Sequence, residues 1–329
     1  MITGPRTPPN PNFLFVAPEA VAPTLARAAV GQVLLRKVKS LLRFFAALVA
    51  YLLTFELPAL VWAIRGLPYR VAEPAVRNRA QYRVLLARLF DSGLPAVGVQ
   101  LSRGADRDEI PVGRPLVVIS RHAGFLNIHL LSHIVFEDFH RNPRVVSKLA
   151  MLADPGNSVL LRKQAMLCVR RGRSSRGRTL RSLAKLGAGM KATDAVVIFP
   201  EGANFTAKRR VRAIRRMDER QRYGEATRAR ARQHTLGPHI AGVGALITAI
   251  PNCDVVFVGH VGLEALIEWA APLSYEPPDP HTVALHWWSV PAEKIPVTGL
   301  DVWLQDWWDH IDNWVAAHIG DDVGKGADS

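Results

Sequence analysis

The sequence predicts an α/β fold in which a mostly parallel central sheet is flanked by helices. From about residue 112 onward, short apolar runs rich in β-branched residues alternate with helical segments. Strands that are buried on both faces read as continuous apolar runs, and parallel neighbours need a long crossover connection between them. An apolar stretch at residues 44–64 stands apart from this alternation and predicts a helical segment in front of the α/β domain.

Five apolar runs are the predicted strands of the sheet, and glycines punctuate the loops that follow them. The runs are Pro115–Ser120, Ala165–Val169, Ala195–Phe199, Asp254–Val258 and Thr282–Trp287. Composition predicts the rest of the organisation: a flexible arm at 1–30, a helical membrane-associated segment at 31–80, the α/β domain at 81–319 and a disordered tail at 320–329.

The apolar stretch 44–64 has basic residues on both sides. As a helix it is just long enough to cross a bilayer, which takes about 20 residues. Glu56 and Pro58 argue against a simple spanning helix, because a carboxylate near mid-depth is costly and proline breaks the helical hydrogen-bond ladder. We expect a bent helical hairpin that dips into one leaflet, with its basic flanks on lipid phosphates. A buried pair of core helices is the alternative.

The last helical segment, residues 300–319, has an unusually aromatic face. Its apolar residues recur at intervals of three or four, as on one side of an amphipathic helix. They are Trp303, Trp307, Trp308, Ile311, Trp314 and Val315. Packing against the core is one explanation of this face, and an aromatic surface on lipid headgroups is the other.

The chain is strongly basic. Its 329 residues include 42 Lys and Arg against 28 Asp and Glu, which gives a formal net charge of +14. Eleven of the basic residues lie between 208 and 232. They predict either a solvated helix face or a surface for anionic lipid headgroups, the phosphates of coenzyme A or an acidic carrier protein. Nucleic acid is disfavoured, because the basic run has no interleaved aromatics beyond Tyr223 and no recognisable binding module.

Cys168 and Cys253 are the chain's two cysteines. Two cysteines in a chain of this length do not make a disulfide framework, and their spacing does not fit a zinc site. We expect both to be small, buried side chains in a reducing compartment.

Two polar motifs each follow directly on a predicted strand. SRHAGFLN, which contains His122 and ends at Asn127, follows the first strand, and FPEG, which contains Glu201 and Gly202, follows the third. Ligands of α/β sheets bind at the carboxyl ends of strands. A histidine there can take a proton from a hydroxyl near neutral pH, and the Glu-Gly pair offers a carboxylate and a backbone that a ligand can approach closely.

These motifs resemble those of the glycerolipid (lysophospholipid) acyltransferase family, which includes the 1-acylglycerol-3-phosphate acyltransferases. That family carries a His-x4-Asp motif and a later Phe-Pro-Glu-Gly motif, which match residues 122–127 and 199–202. The Arg-containing turn after Cys168 and the Ile250-Pro251 pair are similar to two looser motifs of the family. The resemblance covers about residues 112–315, and the wording FPEGANFTAKRR looks most similar to actinobacterial members.

The resemblance implies an O-acyltransferase of phospholipid biosynthesis. Such an enzyme moves a fatty acyl group from acyl-CoA or acyl carrier protein to a hydroxyl of a lysophospholipid or a related phosphate-bearing lipid, with no metal or cofactor. Here His122 would be the general base, and Glu201 and Gly202 would help to hold the acceptor's polar head. Arg170 or Arg171 would clamp its phosphate.

The same resemblance implies that backbone N–H groups near Gly124 or Gly202 stabilise the oxyanion that forms on the thioester carbonyl. Anionic membrane lipids would be further partners. We expect the protein at the cytoplasmic face of the cell membrane, as a peripheral or monotopic protein.

One position departs from the family's pattern, because Asn127 stands where the family has the acid that orients its histidine. An Asp-to-Asn change in this role of serine hydrolases costs about 10^4-fold in rate. The Asn127 amide oxygen can still hold the useful tautomer, without the charge. Otherwise a carboxylate from Glu137, Asp138 or Asp154 stands in, or the chain is a weakened homologue that binds lipid and does little chemistry.

Overall fold

The computed structural model describes residues 45–65, 74–124, 126–148, 166–169, 176–263 and 281–324, with isolated helical residues between 31 and 42. Its centre is a seven-stranded sheet with the order β1-β7-β6-β2-β5-β3-β4. In chain order the strands are β1 (Val99–Arg103), β2 (Leu116–Ser120), β3 (Asn142–Lys148), β4 (Met166–Val169), β5 (Asp194–Ile198), β6 (Asp254–Val261) and β7 (His281–Val290).

The middle of the sheet is parallel and fully buried. β2 pairs in parallel with both β5 and β6, and every residue of these three strands is buried. β7 runs antiparallel to β6, and its residues alternate between buried and half-buried. The predicted α/β fold with a mostly parallel sheet is therefore confirmed, with one antiparallel pair inside it.

All five predicted strands are present, and β6 and β7 extend beyond their predicted ends. The apolar pattern does not reveal β1 and β3. β1 lies at the edge of the sheet and exposes Gln100 and Ser102. β3 begins with Asn142, Pro143 and Arg144, so it does not read as a continuous apolar run.

Helices cover both faces of the sheet. In chain order they are α1 (45–65), α2 (Pro74–Ala87), α3 (Asn127–Glu137), α4 (Arg176–Gly187), α5 (Ala207–Asp218), α6 (Tyr223–Ala231), α7 (Ile240–Ala249) and α8 (Leu300–Gly324). Side chains of α1, α2 and α3 form one apolar core with one face of the sheet. Side chains of α4, α7 and α8 form a second core on the other face, which completes the three-layer arrangement.

The predicted hairpin at 44–64 is wrong, because residues 45–65 form one helical run. A π-helical turn at Leu52–Glu56 comes just before Pro58. Proline has no N–H to donate to the preceding turn, and a widened turn accommodates that loss without a chain reversal. The Glu56 carboxylate accepts a hydrogen bond from the Tyr51 hydroxyl, which offsets the cost of placing it among apolar residues.

One side of α1 belongs to the core and the other side does not. Tyr51, Phe55 and Ala59 are buried, whereas Leu53 and Leu57 are 59% and 49% exposed. The segment Phe45–Trp62 is long and apolar enough to cross a membrane, by length and composition, and 22% of it is buried in the protein. A buried core helix therefore explains only one face of this segment.

The aromatic face of α8 packs against the sheet, as the first of its two predicted explanations required. Trp308 is fully buried, and the Trp307 ring stacks on Phe257 with centroids 4.4 Å apart. The Trp314 ring covers Gly259 so closely that a Cβ there would lie 2.8 Å from it. These contacts assign the tryptophans to the second core.

The predicted domain divisions and the two cysteines can be compared with the structure only in part. α2 runs across residue 80 and α8 ends at Gly324, so the predicted divisions at 80/81 and 319/320 both fall within helices. The predicted arm lies outside the described residues, as does the Cys168 side chain. Cys253 is buried as predicted, and burial raises the pKa of its thiol to about 11.

Candidate active site

The loops after β2 and β5 meet at one edge of the sheet. The two strands are parallel neighbours, so their carboxyl ends lie side by side. The Phe205 backbone N–H donates to the His122 carbonyl oxygen at 3.0 Å. The His122 ring lies against the Phe199 ring with centroids 5.1 Å apart. The structure thus brings the two sequence motifs into contact.

Asn127, the first residue of α3, holds the His122 ring through its amide. In one orientation its Oδ1 accepts from His122 Nδ1 at 2.9 Å and from the Ala123 N–H at 2.6 Å, while its Nδ2 donates to the Ala123 oxygen at 3.0 Å. The reverse orientation sets the amide nitrogen 2.9 Å from Nδ1 and against the Ala123 N–H, so that donor faces donor. The first orientation is therefore the stable one. It places the ring proton on Nδ1 and the lone pair on Nε2.

Glu201 is buried behind the His122 loop and connects two loops through their backbones. Its Oε1 accepts from the His122 N–H at 3.2 Å, and its Oε2 accepts from the Leu236 N–H at 3.1 Å. Burial raises the pKa of Glu201 to about 8, although the Arg121 charge and the two backbone hydrogen bonds act to lower it. The carboxyl is therefore held largely in its neutral form below that pH.

Arg121 is a residue of this site that the sequence reasoning missed. Its guanidinium is buried and donates to the His260 carbonyl oxygen at 2.6 Å and to the His234 carbonyl oxygen at 3.2 Å. It precedes His122 in the chain, and its charge acts on Glu201. The available signal was an arginine directly after a continuous apolar strand, since a buried charge there needs specific hydrogen bonds.

Gly124 and Gly202 shape the two loops. Their φ values of +114° and +66° lie in the region that favours glycine. A Cβ on Gly124 would lie 3.3 Å from the Leu263 oxygen, and one on Gly202 would lie 3.4 Å from the His239 ring. The Gly202 N–H donates to the Phe199 carbonyl oxygen at 3.1 Å, so this group is bonded within its own loop, and the oxyanion donors expected near Gly124 or Gly202 stay a prediction.

Two carboxylates expected as substitutes for the missing acid lie at the wrong end of α3. Glu137 pairs with Arg83 and Asp138 pairs with Arg103, each at 2.7 Å. α3 has 11 residues, and a helix of that length rises about 16 Å. His122 lies at the other end of this helix, so neither carboxylate can orient its ring.

The remaining predicted site residues lie outside the described residues. β4 ends at Val169 on the same edge as β2 and β5, because β3 pairs in parallel with both β4 and β5. Arg170 and Arg171 follow β4 but are not described, and neither is Asp154. Within the ranges given above, no group of three or more His, Cys, Asp or Glu side chains could hold a metal ion.

The basic segment 208–232 divides into paired and unpaired cations. Most arginines of its later half form ion pairs, for example Arg230 with Asp218 at 2.7 Å. The exposed cations of α5 that form no ion pair with a described residue include Lys208, Arg212 and Arg216. They recur every four residues, so they form one row along the helix. We call it the α5 basic row.

The comparison with known families gives one match. Residues 103–256 match the family model described as acyltransferase. This range starts at the end of β1, runs into β6 and contains both the His122 and the Glu201 loops. Neither a curated protein nor a solved structure matches the chain. Residues 103–256, just under half of the chain, therefore match the acyltransferase family, as the resemblance to glycerolipid and lysophospholipid acyltransferases predicted.

Proposed function

We propose that this protein moves a fatty acyl group from acyl-CoA or acyl carrier protein to a hydroxyl of a lysophospholipid or related phosphate-bearing lipid. Its family supports acyl transfer to a lipid acceptor in general. The observation that carries the finer proposal is the hydrogen bond from His122 Nδ1 to the buried Asn127 amide. It commits the other ring nitrogen, Nε2, to accepting a proton, as a general base must.

The reaction is a direct transfer in two steps. His122 Nε2 takes the proton of the acceptor hydroxyl while the oxygen bonds to the thioester carbonyl carbon. The tetrahedral intermediate carries an oxyanion, for which we assign the backbone N–H of Gly124 as a donor. When the C–S bond breaks, the imidazolium returns the proton to sulfur. The thiol then leaves in neutral form, and the ester and neutral His122 remain.

Asn127 orients His122 without giving it a negative charge. A carboxylate in this role also stabilises the imidazolium, so the native site forgoes part of that stabilisation. The amide makes one further contact that a carboxylate cannot make, the donation from Nδ2 to the Ala123 carbonyl oxygen at 3.0 Å. The site is therefore well ordered but electrostatically weaker than one with an acid.

The acceptor's polar head would bind beside the FPEG loop. Gly202 is half-buried, and its lack of a side chain lets the head approach the backbone. Glu201 acts on this contact through the two loops that it connects. We propose that Arg170 or Arg171 clamps the acceptor's phosphate, a role supported by the position of the β4 carboxyl end at the same edge of the sheet.

The α5 basic row would bind the anionic part of the donor. α5 begins at Ala207, two residues after Phe205, whose N–H is bonded to the His122 carbonyl oxygen. Like charges four residues apart on a helix destabilise it slightly unless an anion covers them. The phosphates of coenzyme A and the acidic surface of a carrier protein both meet this requirement.

An apolar helix and a lipid acyltransferase family together indicate membrane association. We propose that the exposed side of α1 makes this contact, at the cytoplasmic face, as a peripheral or monotopic attachment. α1 contacts the helix that carries Asn127, because the centroids of the Phe55 ring and of the His129 ring in the first turn of α3 lie 4.5 Å apart. A lipid acceptor at the membrane surface would then be presented close to His122.

The test is thioester turnover by the full chain with acyl-CoA or acyl carrier protein and a panel of lysolipids. We expect His122→Ala to reduce turnover by at least about 100-fold, since general-base catalysis contributes about 10^2 to 10^4. His310→Ala is the control, because His310 is an exposed histidine of α8 whose ring packs on Trp288 and Trp307. Intact turnover in His122→Ala would refute the mechanism.

A weakened, lipid-binding homologue is the second candidate function, favoured by Asn127 alone. Asn127→Asp separates the two candidates. An active native enzyme should change by less than about tenfold, because the gain in charge is offset by the lost hydrogen bond to Ala123. A gain approaching the roughly 10^4-fold effect of an orienting acid would identify the native site as a weakened one.

A further inference from the structure

Asp312 of α8 binds the loop that leads from α6 to α7. Its Oδ2 accepts from the Gln233 N–H at 2.9 Å, and its Oδ1 accepts from the His234 N–H and the Thr235 hydroxyl, each at 2.9 Å. Asp312 is only 5% exposed. A carboxylate so far from water is tolerable because three donors satisfy it, and such charge-assisted hydrogen bonds are stronger than neutral ones.

This loop contacts the His122 region at two points. The Leu236 N–H donates to Glu201 Oε2 at 3.1 Å, and Glu201 Oε1 accepts from the His122 N–H at 3.2 Å. The His234 carbonyl oxygen accepts from Arg121 Nη2 at 3.2 Å. One contact therefore acts on the His122 backbone itself, and the other acts on the residue that precedes it.

We propose that Asp312 is a positioning residue for His122. Its carboxylate is bonded to the 233–236 loop and not to the His122 ring, and it acts through that loop, Glu201 and Arg121. α8 begins at Leu300, beyond the 103–256 range that matches the acyltransferase family, so this chain completes its site with an element outside that range. The kinetic part of this inference rests on the proposed function.

Asp312→Asn is the informative substitution. The side chain keeps its size, and its oxygen still accepts from His234 and Thr235. The new amide nitrogen faces the Gln233 N–H, and the negative charge is lost. The loop loses one of its three hydrogen bonds to Asp312, so the His122 backbone is held less firmly while its ring and Asn127 are unchanged.

Asp254→Asn is the matched control. Asp254 is also buried, at 1% exposure, and it also accepts from a backbone N–H, that of Ala292 at 2.9 Å. It is the first residue of β6, whereas His122 follows the last residue of the parallel neighbour β2. The two residues therefore lie at opposite ends of these strands. A purely structural effect of removing a buried charge should appear in both variants.

The first experiment measures kcat and KM for thioester turnover in the full chain. We expect Asp312→Asn to lower kcat by about ten- to a hundredfold, because small misplacements of a catalytic group cost this much. KM should stay within about twofold of the native value, because no substrate contact is removed. Asp254→Asn should keep the native kcat. An unchanged kcat in Asp312→Asn, or an equal fall in both variants, would overturn the proposal.

The second experiment does not need turnover, so it separates this inference from the proposed function. Amide hydrogen exchange should become faster at His122 and Leu236 in Asp312→Asn and stay native in Asp254→Asn. If no lysolipid is acylated but the exchange changes, the proposed function fails and the coupling of Asp312 to His122 stands. Native exchange at both amides in Asp312→Asn would refute that coupling.

Discussion

Replacing Glu201 by Gln tests whether a buried, neutral carboxyl holds the His122 loop. The side chain keeps its size, but one acceptor oxygen becomes an NH2 group that only donates. Glu201 binds the backbone N–H groups of His122 and Leu236 at 3.2 and 3.1 Å, and one of them would then face a donor. A buried donor left without an acceptor costs about 1–3 kcal/mol of stability.

The pKa of Glu201 makes the sign of the change in stability caused by Glu201→Gln depend on pH. Burial raises this pKa from 4.5 to about 8, so in this interval the native state holds a proton that the unfolded chain has released. Native stability therefore falls as the pH rises through the window, by about 1.4 kcal/mol per pH unit and about 5 kcal/mol in all. Gln does not titrate and avoids this loss. We expect Glu201→Gln to be less stable than the native protein at pH 5 and about 2 kcal/mol more stable at pH 8.

Urea unfolding followed by tryptophan fluorescence at pH 5, 6, 7 and 8 measures the free energy of unfolding of the variant and of the native protein. The contributions of the other titrating groups cancel in the difference between the two. Glu137→Gln is the control. The hydrogen bond from Arg83 lowers the pKa of Glu137, so its stabilisation is lost only as the pH falls through that lowered pKa. The free energy of unfolding of Glu137→Gln should differ from that of the native protein by a constant amount from pH 5 to 8. A constant difference for Glu201→Gln as well would refute the reasoning.

Three further substitutions test the packing of β6, the FPEG loop and the exposed side of α1. Gly259→Val should lower the free energy of unfolding by about 1–3 kcal/mol, because its Cβ would overlap the Trp314 ring. An unchanged melting temperature in thermal melts would contradict this packing. Gly202→Ala should cost about 1 kcal/mol or more, because its φ is +66°, and an unchanged melting temperature would contradict this. Leu53→Glu should weaken binding to anionic liposomes in a flotation assay. Val84→Glu on α2, a matched change at another exposed apolar position, should not weaken it. Equal binding by both variants would argue against docking through α1.

The core of the fold could be predicted from the sequence because its central strands are buried on both faces. β2, β5 and β6 are continuous apolar runs, and such runs have few alternatives to a central parallel sheet. β1 carries polar residues at exposed positions and β3 at half-buried ones, so their pattern is shared with loops. α1 could not be predicted as one helix, because a π-helical turn absorbs Pro58 and Tyr51 satisfies Glu56, and neither contact shows in the residue order.

The candidate site also has a part that the sequence predicts and a part that only the tertiary structure shows. The sequence alone determined that His122 and the FPEG motif follow two strands of one parallel sheet, and it identified Asn127 as the departure from the family's acid. Only the tertiary structure decided that Glu201 faces inward to the His122 backbone, that Arg121 is buried beside it, and that Asp312 holds the loop between them. These three depend on hydrogen bonds between residues far apart in the chain. Local patterns record which side chains are apolar, whereas the partner of a buried polar group is chosen only when the layers pack.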